Sequence, residues 1–416
     1  MPEPSAAPPQ HCPSPRELDD LELLTNGALA PLTGFEGRDG EVTLRVPSQV
    51  GEAAGRIGAL ELTDPEGVPL ARVNVESTYD ADGLIGIVGE VTPLSHTEYG
   101  PFRRLHLSPA KAREAYGGAL TVPVAAAMTV EDLDLITESA AGRPVVLLAL
   151  MGTGTPRDLS PVGLVRATLA GAKALTEAHV VAVPLASRGD AQLDDDLRRR
   201  VVAAYASGDA AEVNGQGTLP DDIAAIVDLD RPQRHEQGLV VFFTGLSGSG
   251  KSTLARALHD VVLEGGMRTV TSLDGDVVRR NLSAGLTFSR EDRETNIRRI
   301  GWVAAEISRH GGLAICSPIA PFDATRKHVR SMVEEAGGGF VLVHVATPLE
   351  ECERRDRKGL YAKARLGEIP EFTGISSPYE EPADATVRVD TTGRSIADVR
   401  HDVLRVLDEE GYLSLF

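Results

Sequence analysis

Between residues 239 and 416, apolar runs of strand length alternate with segments whose apolar positions recur every three or four residues. The runs at 239–243, 269–273, 312–316 and 340–345, with a shorter one at 386–389, predict strands. The periodic segments at 251–264, 291–309, 322–335 and 394–410 predict helices. In the second of these, Ile297, Ile300, Ala304 and Ile307 share a face, and Ser289-Arg290-Glu291-Asp292 has the form of a capping box. Strand–helix alternation implies βαβ crossovers and so a parallel sheet covered by helices on both faces, a three-layer α/β domain.

The pattern upstream is different. Residues 1–17 are proline-rich with little apolar content and predict a disordered tail. Leu18, Leu21 and Leu24 begin a short helical pattern. Short runs then follow at 42–46, 59–62, 71–75 and 85–88, separated by turn signals such as Asp64-Pro65-Glu66-Gly67. They predict a small antiparallel β-domain over 18–118. Residues 119–213 alternate again, with strands expected at 122–128, 144–151 and 179–185 and helices at 130–139, 161–176 and 193–206. Three strands make a small sheet, so this α/β segment is expected to lean on its neighbours. Residues 214–238 read as a linker holding one apolar patch around Ile223 to Val227.

Length and composition add bounds. A chain of 416 residues is too long for one ordinary core, and 42% hydrophobic with 25% charged residues is globular. No apolar run is long enough to span a membrane, and Met1-Pro2-Glu3-Pro4-Ser5 does not open a signal peptide. Cys12, Cys316 and Cys352 are far apart and form no metal-ligand spacing. A soluble, cytoplasmic protein is expected. A net charge of −19 disfavours non-specific affinity for nucleic acid or anionic membrane, so anionic ligands must be met by local basic clusters.

Such a cluster follows the first strand of the last domain. Gly245-Leu246-Ser247-Gly248-Ser249-Gly250-Lys251-Ser252-Thr253 joins the apolar run 239–243 to a helical pattern. Its glycines let successive N–H groups curl toward phosphate oxygens, and the helix adds its positive end. Lys251 can reach the β- and γ-phosphates and the Ser252 hydroxyl can bind Mg²⁺. This predicts binding of a nucleoside triphosphate.

Further clusters sit where open parallel sheets place ligands, beyond the strand ends. Leu273-Asp274-Gly275-Asp276 offers paired carboxylates, for a base or for indirect Mg²⁺ support, or else a simple Asp-Gly turn. Phe288 to Arg299 combines an aromatic, four arginines and an amide, which suits forked anion recognition or a solvated helix face. Ile315 to Phe322 turns through two prolines, and 357–379 is long enough to be a lid or a disordered insertion.

Taken in order with Asn296-Ile297-Arg298-Arg299-Ile300-Gly301, Lys358-Gly359-Leu360-Tyr361 and Phe372-Thr373-Gly374-Ile375, these motifs resemble adenylyl-sulfate kinase over nearly all of residues 239–416. The resemblance implies phosphorylation of the 3′-hydroxyl of adenosine 5′-phosphosulfate by MgATP, commonly in a homodimer. It implies Lys251 and Asp276 as catalytic residues and Gly245 to Thr253 as the ATP site. Asp274, Arg279, Arg293, Asn296, Ile319 and Lys358 would serve the phosphosulfate substrate, with Phe288 and Phe372 on its adenine. Where many members of that family have serine after the third strand, this chain has Ala320, so a phosphoserine route there is impossible and transfer is expected to be direct.

Leu21 to Phe35 and Phe102 to Pro109 resemble the PUA-like N-terminal domain of ATP sulfurylase, and 119–213 is similar in layout to a shortened sulfurylase catalytic domain. Its Gln-x-Arg-Asn-Pro-x-His-x-x-His motif is replaced by Val124-Ala125-Ala126-Ala127-Met128-Thr129-Val130-Glu131, and Arg198-Arg199-Arg200 reads as a helix face. The resulting expectation is a kinase with a degenerate sulfurylase-like front half. A bifunctional enzyme and a non-catalytic nucleotide-sensing regulator are the rival readings. The missing motif weighs against the first, and intact Lys251, Ser252 and Asp276 weigh against the second.

Overall fold

The computed structural model describes residues 7–413, apart from 157, 267 and the side chain at 276. The chain forms two compact units, Met1–Arg231 and Pro232–Phe416.

In the C-terminal unit, five parallel strands are β1 (Leu239–Thr244), β2 (Val270–Leu273), β3 (Leu313–Cys316), β4 (Gly339–Val345) and β5 (Val387–Val389), in the order β2-β3-β1-β4-β5. The helices are α1 (Lys251–Gly265), α2 (Gly275–Asn281), α3 (Arg290–Arg309), α4 (Asp323–Glu335), α5 (Leu349–Arg354), α6 (Leu360–Arg365) and α7 (Ile396–Glu409). Alternate residues of β1 go to opposite faces of the sheet. Leu239, Val241 and Phe243 pack with α1 and α7, whereas Val240 and Phe242 pack with α3 and α4. That two-sided burial is why β1 reads as an unbroken apolar run. The three-layer expectation holds strand by strand. At the start of α3 the capping box is half made. Ser289 accepts the Asp292 N–H, but the Asp292 carboxylate takes the Thr287 N–H at 2.7 Å and its hydroxyl instead.

The N-terminal unit holds a six-stranded mixed sheet and a three-stranded parallel sheet, Leu120–Val124, Val145–Met151 and Ala178–Pro184. One core runs through both: Leu44, Leu60 and Ile87 from the first sheet share a cluster with Leu148, Leu150 and Val183 from the second. The strands expected within 18–118 pair antiparallel, and at one edge Gln10–His11 adds a parallel strand on Glu61 and Leu62.

Two expectations are corrected, and one element is added. Residues 10–17 are not a disordered tail. After the Gln10–His11 strand, Pro15–Thr25 is a helix with a full Ser14/Glu17 capping box, its proline in the first turn where no N–H partner is needed. Residues 1–6 of that tail lie outside the described residues. The expected linker contains the helix Asp221–Asp230, whose Asp230 carboxylate accepts from the Ser160 N–H at 2.6 Å, within the N-terminal unit. Ser48–Ile57, unassigned from sequence, is a helix whose Gly51 lies so close to Ile85 that an added Cβ would sit 2.5 Å from that side chain. Among the described residues no helix is long and apolar enough to cross a membrane.

Candidate active site

The site is assembled at the carboxyl ends of the five strands. β1 ends at Thr244 and the chain turns through Gly245 to Gly250 into α1. Gly245 (φ +146°) and Gly248 (φ +77°) are required there: a Cβ would lie 2.4 Å from the Val345 carbonyl oxygen at the first and 2.9 Å from that of Cys352 at the second. The loop's carbonyls are turned toward protein donors. Lys251 Nζ donates to Leu246 O at 2.6 Å, Tyr361 OH to Ser247 O at 2.8 Å, and the Thr347 and Thr391 hydroxyls each to Ser249 O at 3.0 Å. Lys251 is buried, and burial pulls its ammonium down to about 8 against the pull of Cys352 and Asp274. Ser252 and Thr253 are the next residues of α1, half-buried and exposed.

Across the same edge, Asp274 follows β2 and accepts a hydrogen bond from the Ser317 hydroxyl, beyond β3, at 3.2 Å. Asp276 lies in α2, with its side chain outside the described residues. The Asp-Gly turn considered from sequence is thus the first turn of a helix. Arg279, also on α2, donates to the Thr287 carbonyl at 3.1 Å, and its guanidinium lies 4.3 Å from the centre of the Phe288 ring. Phe288 is 68% exposed.

From α3, Arg293 donates to the Thr373 hydroxyl at 3.0 Å and the Ser377 hydroxyl at 3.3 Å, with Glu371 at 3.6 Å. Asn296 is buried one turn on. Its Oδ1 and the Nε of Arg293 are buried polar atoms without a hydrogen-bond partner. Buried polar groups are almost always paired, so two unpaired atoms one helical turn apart on α3 are candidates for contact with a ligand. Phe372 packs edge-to-face on Tyr361 at 5.0 Å, so the two phenylalanines assigned to one adenine have separate partners here. Gly374 sits against the Leu246 side chain, which brings 372–377 onto the phosphate loop. The stretch 357–379, read as irregular, contains α6 and a bridge between Thr373 and Ser377. Lys358 is exposed in the turn before α6.

The turn after β3 is fixed from two sides. Thr244 donates to Ile319 O at 2.6 Å and lies 3.2 Å from Ala320 O, to which the buried Arg326 donates at 2.8 Å. Ala320 has φ +45°, a left-handed conformation that side chains seldom adopt and that these bonds hold in place. Sequence reasoning missed Thr244, Thr347, Arg355, Tyr361 as a loop donor, and Thr391. Thr244, Thr347 and Thr391 share one signal, a hydroxyl at or just beyond the carboxyl end of a strand; Arg355, which caps α5, and Tyr361, on α6, carry none.

In the N-terminal unit the three strand ends are tied up by the protein itself. Beyond the first strand, Thr129 and Asp132 form a capping box. The Asp132 carboxylate also accepts from the N–H groups of Asn214 and Gly215, at 3.1 Å each. Beyond the second strand, Asp19 accepts both the N–H and the hydroxyl of Thr153 at 2.8 Å. Beyond the third, Arg188 pairs with the fully buried Asp20 at 2.6 Å. Burial still holds the Asp20 carboxyl above its ordinary value despite that arginine. Arg198, Arg199 and Arg200 are engaged by acidic neighbours, Glu41 among them, as a decorated helix face should be. Among the described residues no cluster of three or more His, Cys, Asp or Glu is placed to hold a metal.

Comparison with known proteins agrees with this fold. Residues 237–390 match the family model described as adenylylsulphate kinase. A sulfate adenylyltransferase of Neosartorya fischeri is 48% identical over 191 residues, covering 46% of this chain and 33% of that protein. The chain thus spans about a third of the length of such curated relatives. The hexameric APS kinase from Thiobacillus denitrificans superposes with a TM-score of 0.73 at 27% identity, covering 99% of this chain and 95% of that one. The Mycobacterium tuberculosis APS kinase CysC, solved with AMPPNP and APS, is 45% identical over 41% of this chain and 98% of its own, with a TM-score of 0.40. With its phosphate loop, its 2-3-1-4-5 parallel sheet and the family match over 237–390, the C-terminal unit of this chain belongs to the adenylylsulphate kinase family.

Proposed function

We propose that the chain transfers the γ-phosphoryl group of ATP to the 3′-hydroxyl of adenosine 5′-phosphosulfate, giving ADP and the 3′-phosphorylated product. The observation that carries this reading is the pair of unpartnered buried atoms on Arg293 and Asn296, on the same strand-end edge as the phosphate loop. In this reading Gly245 to Thr253 cradle the ATP phosphates, and Lys251 releases Leu246 O to meet the β- and γ-oxygens. Arg279, Arg293 and Asn296 hold the phosphosulfate, with Asp274, Ile319 and Lys358 around it and Phe288 and Phe372 against its adenine. Asp276 accepts the proton of the attacking hydroxyl.

The donor set near the loop fits a hard cation that keeps most of its shell on water and phosphate: the Ser252 hydroxyl, with Asp274 within the same edge. Mg²⁺ bound there would supply neutralisation of the phosphate charge. Transfer is direct, because position 320 carries no hydroxyl.

For the N-terminal unit the reading is a scaffold without sulfurylase activity. Activation of sulfate needs fixed donors or cations around the α-phosphate of ATP. The strand ends that would supply them are instead closed by Asp19, Asp20 and Asp132, groups of the wrong sign. Identical copies assemble in this reading. The Thiobacillus protein is a hexamer, and sedimentation of the full chain distinguishes that state from the dimer expected from sequence.

The test is a coupled assay on the full chain. ADP should form from MgATP only when adenosine 5′-phosphosulfate is present, and no sulfate-dependent pyrophosphate should be released. Pyrophosphate release abolished by a change between residues 122 and 200 would restore the bifunctional reading. Tight nucleotide binding with no ADP formed would favour the sensor.

A further inference from the structure

A phosphate loop works only if its N–H groups face the ligand. A trans peptide holds its C=O and N–H antiparallel, so whatever captures the carbonyl of one residue aims the N–H of the next the opposite way. The Ser249 carbonyl is captured twice, by the Thr347 hydroxyl beyond β4 and by the Thr391 hydroxyl beyond β5, each at 3.0 Å. Ser249 is fully buried, so this orientation is not shared with water.

The two hydroxyls lie 2.8 Å apart, which leaves two protons for three short contacts. Arg355 fixes Thr391 in place. It donates to Thr391 Oγ1 at 2.7 Å, so Thr391 accepts there and keeps its own proton to give to Ser249 O or to Thr347, and it donates again to Thr391 O at 3.1 Å. Arg355 is itself held by Glu351 at 2.7 Å. Hydrogen bonds from Arg354 keep that carboxyl down at about 2, so the anchor stays charged at neutral pH.

We propose that Thr347 and Thr391, set by Arg355, are positioning residues that turn the Ser249–Gly250 peptide so that the Gly250 N–H faces the nucleotide phosphates. The proposal rests on the reading of the loop as an ATP site, and not on the identity of the acceptor.

Its test is equilibrium binding of a non-hydrolysable ATP analogue with Mg²⁺ to the full chain, joined to steady-state kinetics. Thr391→Val and Thr347→Val keep the shape and remove the hydroxyl; Thr391→Ser keeps the hydroxyl. Each valine variant should weaken analogue binding by about threefold to tenfold and the double variant by more than either. Thr391→Ser should stay within about twofold of the unchanged chain. The KM for ATP should rise in step while the KM for the phosphosulfate stays put.

A double variant that binds like the unchanged chain overturns the proposal. So does Thr391→Ser as weak as Thr391→Val, or an equal rise in both KM values with a matching loss of thermal stability, since these describe a structural role only. If the unchanged chain binds no analogue, the phosphate-loop reading falls and this proposal with it. If it binds the analogue but does not phosphorylate adenosine 5′-phosphosulfate, only the substrate assignment falls and the binding comparison still decides.

Discussion

Lys251 holds a charge that the ligand-free fold would be more stable without. Its folded pKa is about 8 against an ordinary 10.5, and burial is the largest cause. Each unit is about 1.4 kcal/mol, so keeping this ammonium buried costs the fold about 3 kcal/mol below pH 8. Lys251→Met removes the charge at similar length and also loses the bond to Leu246 O, worth about 1 kcal/mol. The expected balance is a gain of about 2 kcal/mol at pH 7, which for a unit of this size raises its melting midpoint by about 4–8 °C. Turnover should move the other way, by about 10²–10³, because the same ammonium neutralises charge on the transferring phosphate. The stability gap also has a pH signature. A lysine whose folded pKa is lowered carries its full cost below about pH 8. That cost fades as pH rises toward 10.5, where the unfolded chain loses the proton too. Calorimetry of both proteins without nucleotide, from pH 7 to 10, checks this. A variant midpoint equal to or below that of the unchanged chain at pH 7, or a gap that ignores pH, would refute the reasoning.

Asp276→Asn should lower kcat by about 10²–10⁴ with the KM for the phosphosulfate little changed, and kcat within twofold would remove Asp276 from the role of base. Incubation with γ-labelled ATP and no acceptor should leave no stoichiometric label on the protein; a chemically competent phosphoenzyme, at Ser317 for example, would show that transfer is not direct. Arg188→Leu should lower the stability of the N-terminal unit by about 3–5 kcal/mol, because it strands the buried Asp20 carboxylate. Chemical denaturation measures that loss, and adding Asp20→Leu in the same chain should restore much of it.

The three-layer domain was legible because strands buried on both faces must be apolar throughout, as Leu239 to Phe243 are. The phosphate loop was legible because its glycines are forced by backbone close approach, and that demand fixes their spacing. The errors have equally specific causes. Prolines near the start suggested disorder, yet Ser14-Pro15-Arg16-Glu17 is a helix start in which proline is favourable. Gly51 and Gly55 hid the helix Ser48–Ile57, because Gly51 answers to the Ile85 side chain in another element and not to local propensity. Thr347 and Thr391 are single hydroxyls 44 positions apart that meet only when β4 and β5 lie side by side. No local pattern announces such a meeting.

The core that runs through both sheets of the N-terminal unit bears on how such a chain evolves. Chemistry at a strand end rests on a few side chains, and pairings such as Asp19–Thr153 and Asp20–Arg188 can occupy such an end without altering the fold beneath it. Apolar faces have no such freedom. Removing the sheet of Leu148, Leu150 and Val183 would uncover its share of the interior beneath Leu44, Leu60 and Ile87 as well. An active site can therefore decay by point substitution while its architecture is held in place by its neighbour. Selection can erase a catalyst far more easily than it can shorten the gene that encodes it.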